Sequence, residues 1–318
     1  MLLVPTAAVA LAACDRTPAM DQPRALVRLT RGLPGASPSP TGFDSIGTAL
    51  SAAYERALPT VDVETRGSAG SLDTLKQIQR GQADIGFALA DVTYVAFSHG
   101  IEGSHGPFDR LRAIAALELT SLQLVVRKGS GIRAVPDLIG RKVGIGPTGS
   151  GTVLTSRLIL RAHAIDENEL TTIELPWNEA ARRLVEGTLD AAFVNAGYPS
   201  ESIAEATSGG GTLLDLEGPA IDGLRSSYPF YRLTFIPPGR YAGQRKAVRT
   251  IGVSSVLVTR VDLDEKVVYE LTKALFRIYP EIAAQRVSME LVPEEAPATP
   301  IPLHEGAARY YRERELTR

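Results

Sequence analysis

The chain has 318 residues, which is enough for two lobes of ordinary domain size. Its composition, 44% hydrophobic and 22% charged, is that of a folded globular protein. A formal net charge of −2 and an aromatic content of 6% offer neither an electrostatic field nor a stacking platform for nucleic acid, so we expect no nucleic-acid partner.

The first residues resemble an export signal. Residues 2–13 are almost all small and apolar, and they lead to a Leu-Ala-Ala-Cys sequence ending at Cys14, which resembles a bacterial lipobox. The apolar run is too short for a lasting membrane span, and no lysine or arginine precedes it. We expect a lipoprotein signal peptide over residues 1–14, lipidation of Cys14 and a polar tether over residues 15–24. The alternative is an apolar N-terminus with a chance cysteine.

Helices and strands alternate along the rest of the chain, which predicts an α/β fold with mostly parallel sheets. The first predicted elements are a strand, a helix, a strand, a helix and a strand, at residues 24–32, 41–58, 61–67, 72–80 and 83–89. Asp44 or Ser45 is the expected N-cap of the first helix, and Ser71 is the expected N-cap of the second.

A short pattern, G-x-x-D-x-x-F, occurs twice, over residues 81–87 and 187–193. Each copy follows an amphipathic helix and leads into a buried strand, with the glycine closing the helix and the aspartate in the turn. Two such units about a hundred residues apart predict two similar lobes. The alternative is that the pattern marks any helix–turn–strand unit.

Two extended stretches, residues 119–131 and 230–241, are the expected crossing and return crossing between the lobes. Residues 250–260 then predict a strand, and residues 262–285 predict a long helix. Two discontinuous lobes around a cleft can open and close about a hinge. The expected limits are residues 25–119 plus 236–318 for lobe I and residues 120–235 for lobe II.

The stretch from Arg141 to Leu160 predicts a strand, a glycine-rich turn and a helix. Its P-loop spacing is incomplete, because Thr152 stands where the phosphate-binding lysine should be, so we reject that site. Three interpretations stay open: a dinucleotide site with the spacing G-x-G-x-x-G, a tight turn that needs glycine, and a carboxylate held at the helix N-terminus. The dinucleotide glycines would be Gly144, Gly146 and Gly149.

Several motifs in one order resemble the TAXI family of solute receptors that serve TRAP transporters. They are "GSAGSLDTLKQIQRGQADIGFALADVTYVAF", "KVGIGPTGSGT", "EGTLDAAFVNAGYP", "YPFYRLTFIPPGRYAGQ", "TIGVSSVLVTRVDLDEKVVYELTKAL" and "IPLHEGAARYYRE". The resemblance implies a two-lobed type II periplasmic-binding-protein fold, with a mostly parallel sheet in each lobe and a ligand cleft between them. It also implies an extracytoplasmic, lipid-anchored receptor that binds a small organic anion or amino acid, glutamate- or glutamine-like or another carboxylate.

The same resemblance implies delivery of the solute to membrane-embedded TRAP transporter subunits. We expect a monomer that is not an enzyme and has no cofactor or metal. One alternative is a sensor of the same fold that feeds a membrane kinase. A more remote alternative is a dinucleotide-dependent enzyme. The sequence contains no G-x-S-x-G or H-E-x-x-H motif, and the four histidines have no metal-ligand spacing.

The candidate ligand-binding residues come from both predicted lobes. The family ligand loop corresponds to residues 41–43, while helix N-termini and strand ends supply hydroxyl and backbone N–H donors. Trp177 stacks on a ligand or packs, and Asp91 binds a ligand amine or caps a turn. The predicted set is Thr41, Gly42, Phe43, Gly67, Ser68, Ser71, Asp91, Gly149, Ser150, Gly151, Thr152, Trp177, Asn195 and Gly197.

The first lobe departs from the family pattern at its ligand residues. Phe43 and Asp44 replace two tyrosines, Leu89 and Ala90 replace two polar residues before Asp91, and an expected asparagine is threonine at position 74. The added carboxylate of Asp44 argues against a plain dianion, or for a ligand with an ammonium group. The ligand of the family therefore does not carry over to this chain.

Overall fold

The computed structural model of the chain describes residues 24–32, 43–284 and 292–314. The ten strands within these ranges are β1 (Ala25–Gly32), β2 (Val61–Ser68), β3 (Ile85–Leu89), β4 (Leu111–Val126), β5 (Lys142–Gly146), β6 (Thr171–Glu174), β7 (Ala191–Ala196), β8 (Thr212–Leu214), β9 (Tyr231–Ile236) and β10 (Val248–Arg260). The nine α-helices within them are α1 (Phe43–Ala57), α2 (Ser71–Gln79), α3 (Ala90–Ser98), α4 (Gly151–Ala162), α5 (Trp177–Glu186), α6 (Glu201–Ser208), α7 (Pro219–Ser227), α8 (Glu265–Ala284) and α9 (Glu305–Glu313).

Some predictions fall outside the described residues. These are the signal peptide over residues 1–14 with its lipidated Cys14, residues 15–23 of the tether, and the two ligand-loop residues Thr41 and Gly42. The predicted elements from β1 to β3 are confirmed in type and order.

Each lobe is organised around three parallel strands. In lobe I, β1 lies between β2 and β3 and pairs with both in parallel. In lobe II, β5 lies between β6 and β7 and also pairs with both in parallel. A helix follows each of these strands, which is how a chain returns to the same end of a sheet to add a parallel strand.

Two long antiparallel strands, β4 and β10, join the lobes. One half of β4 pairs with β10, and its other half, residues 121–126, pairs with β7 of lobe II. In the same way β10 pairs with β3 of lobe I and with β9 on the side of lobe II. The predicted return crossing at residues 230–241 is therefore wrong, since β10 crosses and β9 runs beside it. The lobe limits 25–119 plus 236–318 and 120–235 stay a prediction.

Local sequence does not separate β9 from a crossing strand. In β9, Leu233 and Phe235 are exposed, so the strand lies at an edge of the sheet, whereas β10 is buried over most of its length. Both segments are rich in β-branched and aromatic residues, so both predict strands, and only the pairing partners decide which one crosses. These two strands and β4 add antiparallel pairs to the parallel units.

The two copies of G-x-x-D-x-x-F occupy matching positions in the two lobes. Gly81 follows α2 with φ of 68°, and Gly187 ends α5 with φ of 79°. Both angles lie in the left-handed region, where glycine carries no steric penalty. Each copy then leads into the buried strand that follows, β3 or β7.

The aspartates of the two copies hold neighbouring strands in the same way. Asp84 accepts the backbone N–H of Arg28 in β1 at 2.8 Å, and Asp190 accepts the backbone N–H of Lys142 in β5 at 3.0 Å. Each carboxylate also accepts from a guanidinium at 2.8 Å, that of Arg28 or that of Arg127. The repeated motif therefore marks the two similar lobes that we predict from it.

The core is built from three hydrophobic clusters. One packs α1, α8 and α9 against β1 in lobe I, around Leu29, Leu50 and Leu271. A second packs α5 and α6 against β7 in lobe II. The third contains residues of α2, α3 and α4 together with both crossing strands, so it extends through the two lobes. No described helix is long and apolar enough to cross a membrane.

Candidate ligand-binding site

A cavity of about 680 Å³, counting its mouth, lies between the lobes. It is located where the carboxyl ends of β1, β2 and β3 face those of β5, β6 and β7, which is the usual ligand position in open α/β sheets. Its lining residues among those described are Gly32, Phe43, Asp44, Ser68, Ala69, Gly70, Ser71, Leu89, Thr120, Pro147, Ser150, Gly151, Thr152, Trp177, Asn195 and Ala196.

The cavity brings together eight of the predicted ligand residues. These are Phe43, Ser68, Ser71, Ser150, Gly151, Thr152, Trp177 and Asn195. Four others lie elsewhere, namely Gly67, Asp91, Gly149 and Gly197. Gly67 is exposed and its carbonyl accepts from the Gln77 amide at 3.0 Å, while Gly197 is buried one position past Ala196, which lines the cavity instead.

Other lining residues are missing from the predicted set. Gly32 and Pro147 follow directly from the rule that ligands lie at the carboxyl ends of strands, and that rule would have found them at the ends of β1 and β5. Thr120 had no such signal, because it lies in the middle of β4 and reaches the cavity only where that strand passes between the lobes.

Gly149 joins the lobes through its carbonyl. That oxygen accepts the backbone N–H of Leu72 at 3.1 Å and that of Asp73 at 3.4 Å, both in the first turn of α2. Gly149 does not line the cavity, and donation from its N–H to a ligand stays a prediction. Ser71 is not an N-cap but the first residue of α2, and its hydroxyl accepts the Leu89 N–H at 3.1 Å.

Two glycines allow the helix N-termini of the two lobes to touch. A Cβ atom on Gly70 would lie 2.8 Å from the Cα of Ser150, with no room for both. A Cβ atom on Gly151 would lie 2.6 Å from a methyl of Leu89 and 2.8 Å from the Ser71 hydroxyl. The glycine-rich turn is thus explained by lobe contact. Gly144, the first glycine of the dinucleotide pattern, lies inside β5.

We expect Gly151→Ala to lower the affinity for solute by about tenfold, since overpacking at a tight contact costs about 1–3 kcal/mol. The added methyl meets only Leu89 and Ser71 of lobe I, so any loss of thermal stability should stay within the same range of about 1–3 kcal/mol. Titration calorimetry and thermal melting measure the two quantities. Gly223→Ala in α7 is the control, because a Cβ there meets open space. Equal solute affinity in the two variants would contradict the contact.

Three buried polar atoms in the cavity wall have no hydrogen-bond partner in the described chain. They are the Ser150 hydroxyl oxygen, the Trp177 indole nitrogen and the side-chain amide nitrogen of Asn195, all from lobe II. A buried donor without a partner costs about 1–3 kcal/mol, so such atoms are rare in folded proteins. Three of them around one cavity indicate that something which fills it supplies their hydrogen-bond partners.

The N-terminus of α4 also faces this cavity. Its first turn, starting at Gly151 and Thr152, contains no acidic residue, and no described group accepts its first N–H groups. The N-terminus of α2 differs, because it contains Asp73 and donates to the carbonyl of Gly149. The positive end of α4 is therefore directed at the cavity contents.

Asp44 lines the cavity but is already paired. Its carboxylate lies 2.6 Å from the guanidinium of Arg31, which is not itself a lining residue. The helix α1 begins at Phe43, so Asp44 belongs to its first turn and the predicted N-cap at Asp44 or Ser45 is wrong. The ring of Phe43 stacks on Phe87 at a centroid distance of 5.7 Å and forms part of the apolar wall.

Asp91 is an anchor between the lobes rather than a ligand contact. It is fully buried, and it accepts the Thr155 hydroxyl of α4 at 2.5 Å and the Tyr231 hydroxyl of β9 at 2.7 Å. Burial raises the pKa of Asp91, although these two hydrogen bonds oppose the rise. Tyr231 packs against the rings of Tyr228 and Phe230.

The raised pKa of Asp91 predicts a pH dependence of stability. Between the ordinary carboxyl pKa of about 3.9 and the raised value, the folded state binds a proton that the unfolded state has released. Stability therefore falls as pH rises through this window and levels off above it. Asp91→Asn should remove this slope in urea unfolding measured from pH 4 to 7. An unchanged slope would exclude Asp91 as its source.

Asp190 provides the control of opposite sign. Its burial raises the pKa, but hydrogen bonds from Arg127 and the Lys142 backbone outweigh that effect and lower it. Its stabilising contribution is present above the ordinary carboxyl pKa and is lost as pH falls through the lowered value. Asp190→Asn should therefore reduce stability at neutral pH and leave the slope assigned to Asp91 in place.

Comparison with known proteins identifies the family. A family model described as the NMT1-like family matches residues 36–314. The chain belongs to the NMT1-like family. MatC from Rhodopseudomonas palustris, with bound malate, is 16% identical over 93% of this chain and 99% of that chain, with a TM-score of 0.57. A protein from Bordetella bronchiseptica RB50 is 15% identical over 92% and 98%, also with a TM-score of 0.57.

These similarities establish the fold of this NMT1-like protein. It is the two-lobed α/β fold of type II periplasmic binding proteins, as expected from the sequence. No group of three or more metal-ligating side chains that could hold a metal ion occurs among the described residues.

Proposed function

We propose that this NMT1-like protein is an extracytoplasmic solute-binding receptor that captures a small organic acid or amino acid by hinge closure. The observation that carries the proposal is the set of unpaired buried polar atoms on Ser150, Trp177 and Asn195, all in the cavity between the lobes. A receptor that closes over its solute leaves such groups without partners until the solute is bound.

The chemistry of the cavity suits a carboxylate at the lobe II wall. Its oxygens would accept from the hydroxyl of Ser150, from the first N–H groups of α4 and from the indole N–H of Trp177. The remainder of the solute would lie against the apolar side chains of Phe43 and Leu89 from lobe I. Each end of the solute would thus contact a different lobe.

Closure would follow from the contacts that join the lobes. The Gly149 carbonyl meets the first turn of α2, and Thr155 donates to Asp91. Both contacts cross the cleft, so they would stabilise the closed form around a solute. Bending would be concentrated in β4 and β10, the two strands that cross between the lobes.

We propose more specifically that the receptor is lipid-anchored and delivers its solute to TRAP transporter subunits. It is supported by the TAXI-like motifs and by the lipobox-like sequence at Cys14. The malate bound to MatC is consistent with an organic acid as the solute. Uptake into vesicles that contain TRAP membrane subunits, with and without this protein, tests the delivery step.

A thermal-shift screen tests the binding function. The protein would carry Cys14→Ser, so that no lipid is attached, and the panel would contain amino acids, mono- and dicarboxylates, keto acids, sugars, NAD and ATP. A ligand at a hundred times its dissociation constant adds about 2.7 kcal/mol of stability. We expect a shift with an organic acid or amino acid. A shift with NAD alone would instead support the dinucleotide enzyme, and no shift at all would contradict the receptor.

The Trp177→Phe variant shows whether a ligand that raises the melting temperature binds in this cavity. It keeps an aromatic ring but removes the only hydrogen-bond donor of the side chain. We expect the affinity for the solute to fall about tenfold, the usual scale for losing one buried hydrogen bond to a charged group. Arg182→Ala, on the exposed face of the same helix, is the matched control. Unchanged affinity in Trp177→Phe would place the binding site elsewhere.

A further inference from the structure

The charged groups of the cavity limit the charge of its occupant. Asp44 is the one charged side chain among the described lining residues, and its partner Arg31 neutralises it at 2.6 Å. No lysine, arginine or histidine lines the described part of the cavity. The positive field there comes from the N-terminus of α4, which is equivalent to roughly half an elementary charge.

This field matches one carboxylate and not two. A first carboxylate would accept the free donors of Ser150, Trp177 and the first turn of α4. A second carboxylate would face Phe43, Leu89 and a carboxylate that is already paired. Burying an ion without an opposite charge is costly, so a dianion would lose more on entering than it gains.

The orientation of the Asn195 amide follows from a count of protons at Thr120. The Thr120 hydroxyl lies 2.7 Å from the amide oxygen of Asn195 and 2.9 Å from the backbone carbonyl of Val253, and it has one proton to donate. The carbonyl can only accept, so the proton belongs there. The Thr120 oxygen must then accept a hydrogen bond from Asn195. Rotating the Asn195 amide by 180° places its nitrogen, which is a donor, at the position of its oxygen.

This exchange changes what Asn195 offers to a solute. The amide nitrogen, which otherwise has no partner, donates to Thr120, and the amide oxygen faces the cavity as an acceptor. Asn195 is 5% exposed, so water does not readily satisfy that oxygen. The wall of lobe II then presents donors at Ser150 and Trp177 and an acceptor at Asn195.

We infer that the cleft selects a small monocarboxylic acid that carries a hydrogen-bond donor on an otherwise apolar body, and that it discriminates against dicarboxylates. The inference rests on the proposed function. The carboxylate would bind at the N-terminus of α4, the donor would bind the Asn195 oxygen, and the apolar part would lie against Phe43 and Leu89.

Three compounds that differ by single groups test the selection. Malate becomes 3-hydroxybutyrate when one carboxylate is replaced by a methyl group, and 3-hydroxybutyrate becomes butyrate when its hydroxyl is removed. Titration calorimetry should give 3-hydroxybutyrate at least tenfold tighter binding than either of the others. Tighter binding of malate would overturn the inference and leave the proposed receptor intact. Binding of none of the three would overturn the inference, and the wider panel decides the receptor function separately.

Asp44→Asn provides an independent test of the charge argument. The substitution keeps the shape of the side chain but leaves the Arg31 guanidinium without its partner beside the cavity. We expect the affinity ratio of malate to 3-hydroxybutyrate to rise about fivefold, which corresponds to the roughly 1 kcal/mol of a partly exposed ion pair. Asp62→Asn, which breaks an exposed pair with Arg24, should leave the ratio unchanged. An unchanged ratio in Asp44→Asn would overturn the charge argument.

Asn195→Leu tests the donor half of the inference. It removes the amide while keeping a side chain of similar size, so the preference for 3-hydroxybutyrate over butyrate should disappear. The preference over malate should persist, because that preference depends on charge. A hydroxyl preference that survives in Asn195→Leu would show that another group binds the hydroxyl and would overturn the role of Asn195.

Discussion

Replacing Ser150 by tryptophan is expected to abolish solute binding, with a loss of affinity of at least about a hundredfold. Ser150 is 7% exposed, and its Cα atom is 2.8 Å from where a Cβ of Gly70 would lie. An indole at this position would fill the cavity and hold the N-termini of α2 and α4 apart. The fold of each lobe should be unaffected, because Ser150 precedes α4 and its closest approach to lobe I, at Gly70, lies across the cleft.

The matched control is Ser150→Ala, which removes the hydroxyl without adding volume. It should weaken binding by about tenfold, the lower end of the effect of losing one hydrogen bond to a charged group. Calorimetry gives the two affinities, and circular dichroism with thermal melting shows that both variants fold. A tryptophan variant that binds as well as the native protein would show that this wall of the cavity does not hold the solute.

The largest loss of stability is expected for Asp84→Ala, about 3–5 kcal/mol in the free energy of unfolding. Asp84 is 1% exposed and accepts the Arg28 backbone N–H and guanidinium, each at 2.8 Å, and the Arg260 guanidinium at 2.9 Å. Its removal leaves Arg28 without its partner, reduces Arg260 to its second partner Asp262, and frees the contact that joins β1, β3 and β10. Urea unfolding at neutral pH measures the loss.

Asp190→Ala is the matched comparison from the other lobe. The Asp190 side chain is 18% exposed, and it pairs with one arginine rather than two. The loss of stability should therefore be clearly smaller than for Asp84→Ala. Equal losses at the two positions would mean that the loss of stability comes from the hydrogen bond that each aspartate accepts from the backbone of the neighbouring strand. The second arginine and the deeper burial of Asp84 would then contribute nothing measurable.

The parts of the fold that depend on short stretches of sequence were predictable. The repeated G-x-x-D-x-x-F motif predicts two similar lobes, and Asp84 and Asp190 do hold matching strands. The strand, glycine-rich turn and helix predicted over residues 141–160 are present as β5, the turn after it and α4. In both cases neighbouring residues contain all of the information.

The features that depend on contact between distant segments were not predictable. Gly149 acts through its carbonyl because the first turn of α2 lies opposite, and Asp91 is an anchor because Thr155 and Tyr231 reach it from other elements. The strand that returns from lobe II to lobe I is β10 because it pairs with β3 and β4. The local hydrophobic pattern does not predict these pairing partners. Thr120 reaches the cavity for the same reason.

The continuity of β4 and β10 has a consequence for how the molecule comes apart. A single ladder of backbone hydrogen bonds runs through both lobes, and one hydrophobic cluster extends across them. Unfolding of either lobe would remove hydrogen-bonded neighbours from the parts of β4 and β10 that lie in the other lobe. Neither lobe is therefore a cooperative folding unit by itself. The division into lobes therefore describes shape and motion, while in thermodynamic terms the protein is one indivisible body.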